Sequence, residues 1–194
     1  ASELYSLHQD SLGLIWVGTN MGASVFDGYR FKNYSQTNQG EPLGLINKFV
    51  EDHHGTLWIG GKNGLFYFSK GTFHKAKIGS PIISDLEIDH QNNLWIAGNG
   101  FVPFFLEKEK LEVLKKEKSV NIKGFISTKL WKSSMQKLQA WKIAIDSTNN
   151  IYFGNDNCLA YFDGKYLYQI YQYERKARFE LIAPISPDSI YLGG

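Results

Sequence analysis

The stretch Asp52–Phe68, DHHGTLWIGGKNGLFYF, decides the fold because its features return along the chain. It has an aspartate, a glycine three residues later, a tryptophan three residues after that, and further glycines. Related stretches begin at Asp10, Asp89 and Asp146, and a shortened fifth copy, SPDSIYLGG, begins at Ser186. A repeat of this kind indicates several copies of one supersecondary unit packed side by side.

One aromatic residue stands at the same position of every copy. Successive aromatic residues are 42, 37, 57 and 39 residues apart. The period is therefore about 40 residues, with one insertion of about 18 residues in the third interval. We expect the anchors of the first four copies to pack each unit against the next. The anchors are Trp16, Trp58, Trp95, Tyr152 and Tyr191.

Each copy divides into four short apolar segments, and in the second copy these are INKFVE, TLWIG, LFYFS and TFHKA. Aromatic and β-branched residues favour strands. Asp-x-x-Gly/Asn is a type I turn pattern, in which the aspartate accepts backbone N–H groups and the last residue tolerates a positive φ. Asp27-Gly28 and Asp163-Gly164 predict type I′ hairpins. Four-stranded units at this period predict an all-β chain, a β-propeller of four-stranded antiparallel blades.

The repeat fixes the expected domain organisation. We predict one partial propeller over residues 1–194 with about four and a half blades, and an inserted top-face loop at residues 116–139. The turn aspartates Asp10, Asp52, Asp89 and Asp146 are expected to be structural. The predicted blades are residues 4–34, 46–77, 83–115, 140–171 and, incomplete, 179–194.

The pattern D-x-x-G-x-L-W-I-G-T/G-x-x-G-L-x-x-F-x-x-G-x-F resembles the two-component regulator propeller repeat of bacterial sensor histidine kinases. The resemblance covers residues 4–194 apart from the insertion. There are departures: Ala97 replaces a glycine, Tyr152 replaces a tryptophan, and the fifth copy has no aspartate six residues before Tyr191.

What the resemblance implies is a fragment of a larger, seven-bladed ring in the periplasm that senses a small ligand, often an oligosaccharide. The segment would be non-catalytic and without cofactor, and binding would shift the populations of two sensor arrangements. Its partners would be the ligand, the remaining blades and the downstream domains, which lead to a membrane helix and a kinase. An open half-ring exposes apolar blade faces, so we also expect a homodimer or marginal stability.

Candidate ligand-binding residues are expected on the top face, where the inner strand of each blade begins. Lys62, Asn99 and Asp156 follow the anchor strands and belong there. Four more candidates stand five residues before each turn aspartate, near the channel mouth. Their aromatic rings and amides suit a carbohydrate, and they equally suit filling of the channel. These four are Tyr5, Asn47, Ser84 and Trp141.

The insertion is basic, with eight lysines and four glutamates between Glu107 and Lys132. One interpretation is a solvated excursion with Trp131 tucked onto the blade below. The other is a lid whose Trp131 stacks on a sugar, since loops of this length are often functional. The run KEKLEVLKKEKS is weakly helical in composition, and we expect an exposed hairpin or surface segment there rather than a membrane-binding helix.

Composition excludes several functions. A net charge of +2 predicts no nucleic-acid binding, and no apolar run is long enough to span a membrane. The single cysteine, Cys158, cannot form an internal disulfide and is expected to be a small buried residue. His53, His54 and His90 follow the turn aspartates and should diverge into solvent, so we predict no metal site.

Two other functions stay open. A protein-interaction scaffold would use the basic insertion and the blade edges. A propeller lyase or glycosidase would need histidines and carboxylates clustered on the top face, where the sequence offers Glu41, Asp156 and Glu174. Capture of a protein partner would favour the scaffold, whereas sugar binding would favour the sensor.

Overall fold

The described residues form seventeen strands and one helix, arranged in five antiparallel sheets. Each sheet is called a blade, numbered 1 to 5 in chain order. The first strand of a blade is its inner strand; the end where inner strands begin is called the top and the other end the bottom. The computed structural model describes residues 3–79, 81–99, 101–116, 119–120, 140–155, 158–172, 181–186 and 189–193.

Blades 1 and 2 are four-stranded, and every strand pairs with its neighbour in the chain. Blade 1 consists of β1 (Leu4–Gln9), β2 (Ile15–Thr19), β3 (Gly22–Phe26) and β4 (Phe31–Tyr34). Blade 2 consists of β5 (Ile46–Glu51), β6 (Leu57–Gly61), β7 (Gly64–Ser69) and β8 (Thr72–Lys75).

The remaining blades repeat this up-and-down order. Blade 3 consists of β9 (Ile83–Ile88), β10 (Leu94–Gly98) and β11 (Phe104–Leu106), followed by the helix α1 (Lys108–Lys115). Blade 4 consists of β12 (Lys142–Ile145), β13 (Ile151–Gly154), β14 (Cys158–Phe162) and β15 (Leu167–Gln172). Blade 5 is described as the pair β16 (Leu181–Ser186) and β17 (Ser189–Gly193). The expected all-β class with four-stranded antiparallel blades is confirmed in blades 1, 2 and 4.

Blade 3 departs from the four-stranded pattern, since α1 stands where the other complete blades have their fourth strand. The expected hairpin is wrong, since the segment is a helix, but it lies at the surface as expected, with Lys108, Glu109 and Glu112 exposed. Leu111 and Leu114 are buried and belong to the core cluster that contains Trp58 and Leu106. Residues three apart lie on one face of a helix, so α1 covers the core between blades 2 and 3 with its two leucines.

The hairpin turns also differ from expectation. In the loops at Asp27-Gly28 and Asp163-Gly164 only the glycine has a positive φ, 95° and 90° respectively. This is the pattern of a type II′ turn, so the prediction of type I′ is wrong. Both central residues are positive in the Lys70-Gly71 hairpin of blade 2, at 50° and 79°, which is the type I′ pattern.

The apolar core lies in layers between neighbouring blades, and a glycine two residues after the anchor lets the blades approach. A Cβ atom on Gly154 would lie 2.6 Å from Cδ1 of Ile182 in blade 5. A Cβ atom on Gly18 would lie 2.9 Å from the carbonyl oxygen of Ile46 in blade 2. The inner strand of the next blade passes so close that a larger side chain forces it away. Blade 3 has the fully buried Ala97 at this position.

Candidate functional site

The turn aspartates join each turn to the anchor of the same blade. Oδ1 of Asp52 accepts the backbone N–H groups of His54 and Thr56, both at 2.9 Å. Oδ2 of Asp52 accepts Nε1 of Trp58 at 2.9 Å, and both side chains are buried. The same link joins Asp10 to Trp16 at 2.7 Å, Asp89 to Trp95 at 2.9 Å, and Asp146 to the hydroxyl of Tyr152 at 2.9 Å.

Blade 4 shows the electrostatic effect of this link. Burial acts to raise the pKa of Asp146, but hydrogen bonds donated by Asn150, Thr148 and Tyr152 outweigh it and lower that pKa to about 2. Burial and the Asp146 carboxylate together raise the pKa of Tyr152 to about 12. The aspartate is therefore held as an anion and the tyrosine as a neutral donor.

The anchors of blades 1 to 4 are buried against the following blade, whereas Tyr191 of blade 5 is 55% exposed. The ring of Trp16 lies 6.3 Å from that of Phe49 and 5.9 Å from that of Phe73, both in blade 2. The ring of Trp95 lies 5.7 Å from that of Phe153 in blade 4. Distances of this size are typical of aromatic pairs in protein cores. The anchor side chains are used in packing between blades, so other residues must form any ligand site.

A second set of contacts joins the bottom turns of neighbouring blades. The backbone N–H of His53 donates to Oδ1 of Asn92, and that of His90 donates to Oδ1 of Asn149, both at 2.8 Å. Between blades 1 and 2, where the acceptor turn has a glycine, Ser11 donates through both N and Oγ to the Glu51 carboxylate at 2.6 Å.

The histidines of the bottom turns are exposed, as expected from the sequence. They take part in the blade contacts through backbone groups. Within the ranges that the structure describes, there is no group of three or more His, Cys, Asp or Glu side chains that could hold a metal ion. Cys158, at the start of β14, is buried as predicted, and burial raises the pKa of its thiol.

The candidates five residues before each turn aspartate coincide with an irregularity of the inner strands. The pairing register skips Tyr5, Asn47 and Ser84, so each is the extra residue of a β-bulge. Two of these side chains make hydrogen bonds within the protein. Nδ2 of Asn47 donates to the carbonyl oxygen of Ile83 at 2.7 Å, and the Tyr5 hydroxyl donates to Glu3 at 2.6 Å.

The remaining predicted residues have different outcomes. Trp141 donates its backbone N–H to the carbonyl oxygen of Gly154 at 2.9 Å, and its Nε1 is buried without a hydrogen-bond partner in the described part of the chain. Asn99 is exposed and reaches Ile82 only by a backbone hydrogen bond of 3.3 Å. Trp131 and Asp156 lie outside the described residues.

Lys62 lies in a groove on the top of blade 2, which consists of two adjoining cavities of about 240 Å³ and about 320 Å³. Both cavities contain Glu41 and Lys75, whose charged groups are 3.6 Å apart. Most of the residues that line the groove have polar side chains: Asn38, Gln39, Glu41, Lys62, Asn63, His74, Lys75 and Lys77. Here the structure brings a predicted residue together with ammonium and amide groups that can bind a polar ligand.

An ionic cluster on the inner strands was missed by the sequence reasoning. Nζ of Lys48 lies 2.7 Å from Oε1 of Glu87 and 3.1 Å from Oδ1 of Asp85. Burial acts to lower the pKa of Lys48, but the two carboxylates outweigh it and raise that pKa. Burial also raises the pKa of Glu87, against the effect of Lys48. The available signal was that Lys48, Asp85 and Lys142 all stand four residues before a turn aspartate.

No protein-family model matches the chain, and no curated protein matches it either. Solved structures do. An extracellular domain ascribed to a hybrid two-component system of B. thetaiotaomicron matches 100% of this chain, with a TM-score of 0.76 and 18% identity. This chain covers 25% of that domain, so it spans about a quarter of its length.

Two further structures extend the comparison. PorZ, a surface component of the type-IX secretion system of Porphyromonas gingivalis, matches 86% of this chain at a TM-score of 0.57 and 15% identity, and this chain covers 25% of it. Virginiamycin B lyase from Staphylococcus aureus matches 97% at a TM-score of 0.65 and 10% identity, and this chain covers 62% of it. A sensor, a secretion component and an enzyme thus share one architecture, so the fold does not choose among their functions.

No helix in the described ranges has both the length and the apolar character that crossing a membrane requires. The match to the two-component system domain agrees with the resemblance drawn from the repeat, at the level of the fold. The blade architecture and these structural matches together establish that this chain has a β-propeller fold.

Proposed function

We propose that this chain is a non-catalytic, ligand-sensing propeller segment of the extracytoplasmic, periplasmic part of a two-component sensor histidine kinase. In this proposal its ligand is an oligosaccharide or another small polar molecule. Support comes from the repeat motif and from the match of the whole chain to the extracellular domain of a two-component system. The kinase activity belongs to other parts of the parent protein.

The observation that carries the proposal is the polar groove on blade 2. Sugar hydroxyls both donate and accept hydrogen bonds, and the groove offers both partners: ammonium donors on Lys62 and Lys75 and a carboxylate on Glu41. Its wall is fixed by backbone contacts, since Asn38 N donates to the Phe73 carbonyl oxygen at 2.9 Å. A preformed groove of this kind binds with little ordering cost.

Signalling follows from where the groove lies. One wall belongs to the connection from blade 1 to blade 2, at residues 35–45, and the other to the connection from blade 2 to blade 3. A ligand that bridges both connections favours the arrangement of blades in which both walls reach it. Binding then shifts the population towards that arrangement, which the downstream domains detect.

The remaining blades of the same chain, or a second copy, are the proposed partners of blade 1. Leu7 stands three residues before its turn aspartate and is 65% exposed. Phe49, Leu86 and Ile143 stand at the same position of the next three blades and are all buried, in contact with the preceding blade. A further blade or a second copy that packs on this face of blade 1 would bury Leu7 in the same way.

A protein-interaction scaffold is the second candidate function. The observation that favours it is that blade 1 exposes several large apolar side chains, which a bound protein would cover. Leu12 is 82% exposed, Met21 68% and Phe31 62%. Specific binding of a protein to this surface, without any sugar binding, would make the scaffold the preferred function.

The test is binding of the purified protein to an array of oligosaccharides, followed by calorimetry on the best ligand. Lys62→Met and Lys75→Met remove the two ammonium groups of the groove and should each weaken binding about tenfold, a change of one charged hydrogen bond. Lys165→Met is the matched control, because Lys165 is exposed in a bottom hairpin of blade 4. Binding that neither groove variant changes would overturn the assignment of the groove.

A further inference from the structure

A separate cavity of about 300 Å³ lies between the inner strands of blades 2 to 5, away from the top groove. Its wall combines four ionisable side chains with apolar ones. The lining residues are Lys48, Asp85, Glu87, Lys142, Ile143, Ala144, Ile145, Ile182 and Pro184. Convergent polar groups beside apolar side chains are a feature of ligand sites in proteins.

Three of the four ionisable groups satisfy one another. Lys48 binds Asp85 and Glu87, as described above. Asp85 also accepts the backbone N–H of Leu86 on Oδ1 and that of Ile143 on Oδ2, both at 3.0 Å. Asp85 is thereby fixed between blades 3 and 4. Glu87 uses Oε1 for Lys48 and presents Oε2 as a further acceptor.

Lys142 differs from these three groups. It begins β12 in blade 4 and is half-buried in the cavity wall. Its side chain makes no hydrogen bond or ion pair with any residue that the structure describes, whereas the three other charged side chains of the wall are paired. Its neighbours in the wall from blade 5 are the apolar Ile182 and Pro184. Among the described residues, Lys142 is therefore the one charged side chain of the cavity wall without a direct partner.

We propose that this cavity is a binding site for a hydroxylated carboxylic acid of sugar size. The ligand carboxylate pairs with the Lys142 ammonium, and a ligand hydroxyl donates to Glu87 at the other side of the cavity. The C–H face of the ligand packs on Ile182 and Pro184. A charge-assisted hydrogen bond at each end fixes the orientation of the ligand, which a neutral sugar cannot achieve. This site is independent of the proposed groove on blade 2.

The experiment is calorimetric titration of the purified protein with three probes: glucuronate, glucose and acetate. Glucuronate carries both groups, glucose lacks the carboxylate, and acetate lacks the hydroxyls. We expect glucuronate to bind and the other two to bind at least about tenfold more weakly, since each lacks one charge-assisted bond. Lys142→Met should weaken glucuronate binding about tenfold, and Lys142→Arg should largely retain it. Lys165→Met serves as the control that leaves binding unchanged.

Several results would overturn the site. They are equal affinity for glucuronate and glucose, equal affinity for glucuronate and acetate, unchanged binding in Lys142→Met, and no glucuronate binding by the wild-type protein. Circular dichroism checks that Lys142→Met is folded, and the probe comparison on wild-type protein needs no variant. Because the groove test uses Lys62 and Lys75, each site can fail without the other.

Discussion

The amide oxygen of Asn92 accepts the backbone N–H of His53 at 2.8 Å, across the boundary between blades 2 and 3. Asn92 has a φ of 67°, a left-handed conformation that few residues other than glycine tolerate. Asparagine therefore meets two requirements at this position. It completes its own turn, and its side chain fixes the turn of the preceding blade. Asn149 does the same for His90 with a φ of 69°.

Two substitutions at Asn92 separate these roles. Asn92→Gly keeps the backbone conformation and removes the contact with His53, and should reduce the free energy of unfolding by about 1 kcal/mol. Asn92→Ala removes the contact and also strains the backbone, so it should cost about 1 kcal/mol more. Urea unfolding followed by tryptophan fluorescence measures both. Equal stability of the two variants would show that the backbone conformation carries no cost.

Asp52→Ala should be strongly destabilising. It removes the acceptor of two backbone N–H groups and leaves Nε1 of the buried Trp58 without its partner. Loss of one buried hydrogen bond to a charged group costs about 1.5–3 kcal/mol, and water can replace the carboxylate at the turn N–H groups, so we expect a total loss of about 3 kcal/mol.

Asp10→Ala is the matched comparison for Asp52→Ala. Asp10 makes the same set of contacts but is less deeply buried, so its loss should be smaller. Unfolding free energies from urea titrations decide the order. A loss at Asp52 no greater than that at Asp10 would contradict the prediction.

Blade 4 should lose stability in acid. The folded-state pKa of Asp146 is about 2, below its ordinary value of 3.8. The unfolded state therefore binds more protons between these values, and the contribution of Asp146 to stability is lost as the pH falls through them. In Asp146→Asn this part of the pH dependence should vanish, as measured by unfolding between pH 2 and pH 6. An unchanged acid transition in that variant would refute the assignment.

Tyr152 should cause a loss of folding stability at alkaline pH. Its folded-state pKa is raised from 10.0 to about 12, so the folded state binds more protons in that interval. Stability is then fully present below pH 10 and falls as the pH rises towards 12. Tyr152→Phe should flatten the decline of the unfolding free energy above pH 10. A decline as steep as in the wild-type protein would assign the effect to other groups.

The charge cluster of the inner strands predicts a strong effect for Lys48→Met. This variant leaves the carboxylates of Asp85 and Glu87 without their cation, and we expect a loss of about 2–3 kcal/mol. Adding Glu87→Gln to Lys48→Met should recover part of the loss, since one uncompensated charge disappears. A double-mutant cycle on unfolding free energies measures the coupling. Additive losses would mean that the two side chains do not interact.

The repeat was sufficient to predict the strands of blades 1, 2 and 4 and the buried anchors of the first four blades, because hydrophobic alternation and turn residues are local signals. The spacing of six residues between a turn aspartate and its aromatic anchor was visible in four copies, as in Asp52 and Trp58. The hydrogen bond between them was not predicted. The turn accounts for the aspartate and the core for the aromatic residue, and nothing in one copy alone shows that the two side chains touch.

The helix α1 and the ionic cluster needed the folded structure. The segment of α1 is dominated by lysine and glutamate, and only Leu111 and Leu114, three positions apart, indicate a buried face. Lys48 and Asp85 pair across two blades, so their contact depends on a bulge in each inner strand. A bulge shifts which side chains face each other, and no pattern within one strand predicts it.

The helix of blade 3 also affects whether an extended chain can add to the outer edge of that blade. In blades 1, 2 and 4 the outermost element is a fourth strand, and outer strand edges are where an incoming extended chain adds to a sheet. In blade 3 the outermost strand, β11, is only three residues long, and α1 follows it at once. A helix has no unpaired strand edge, so strand addition from outside is disfavoured at this blade.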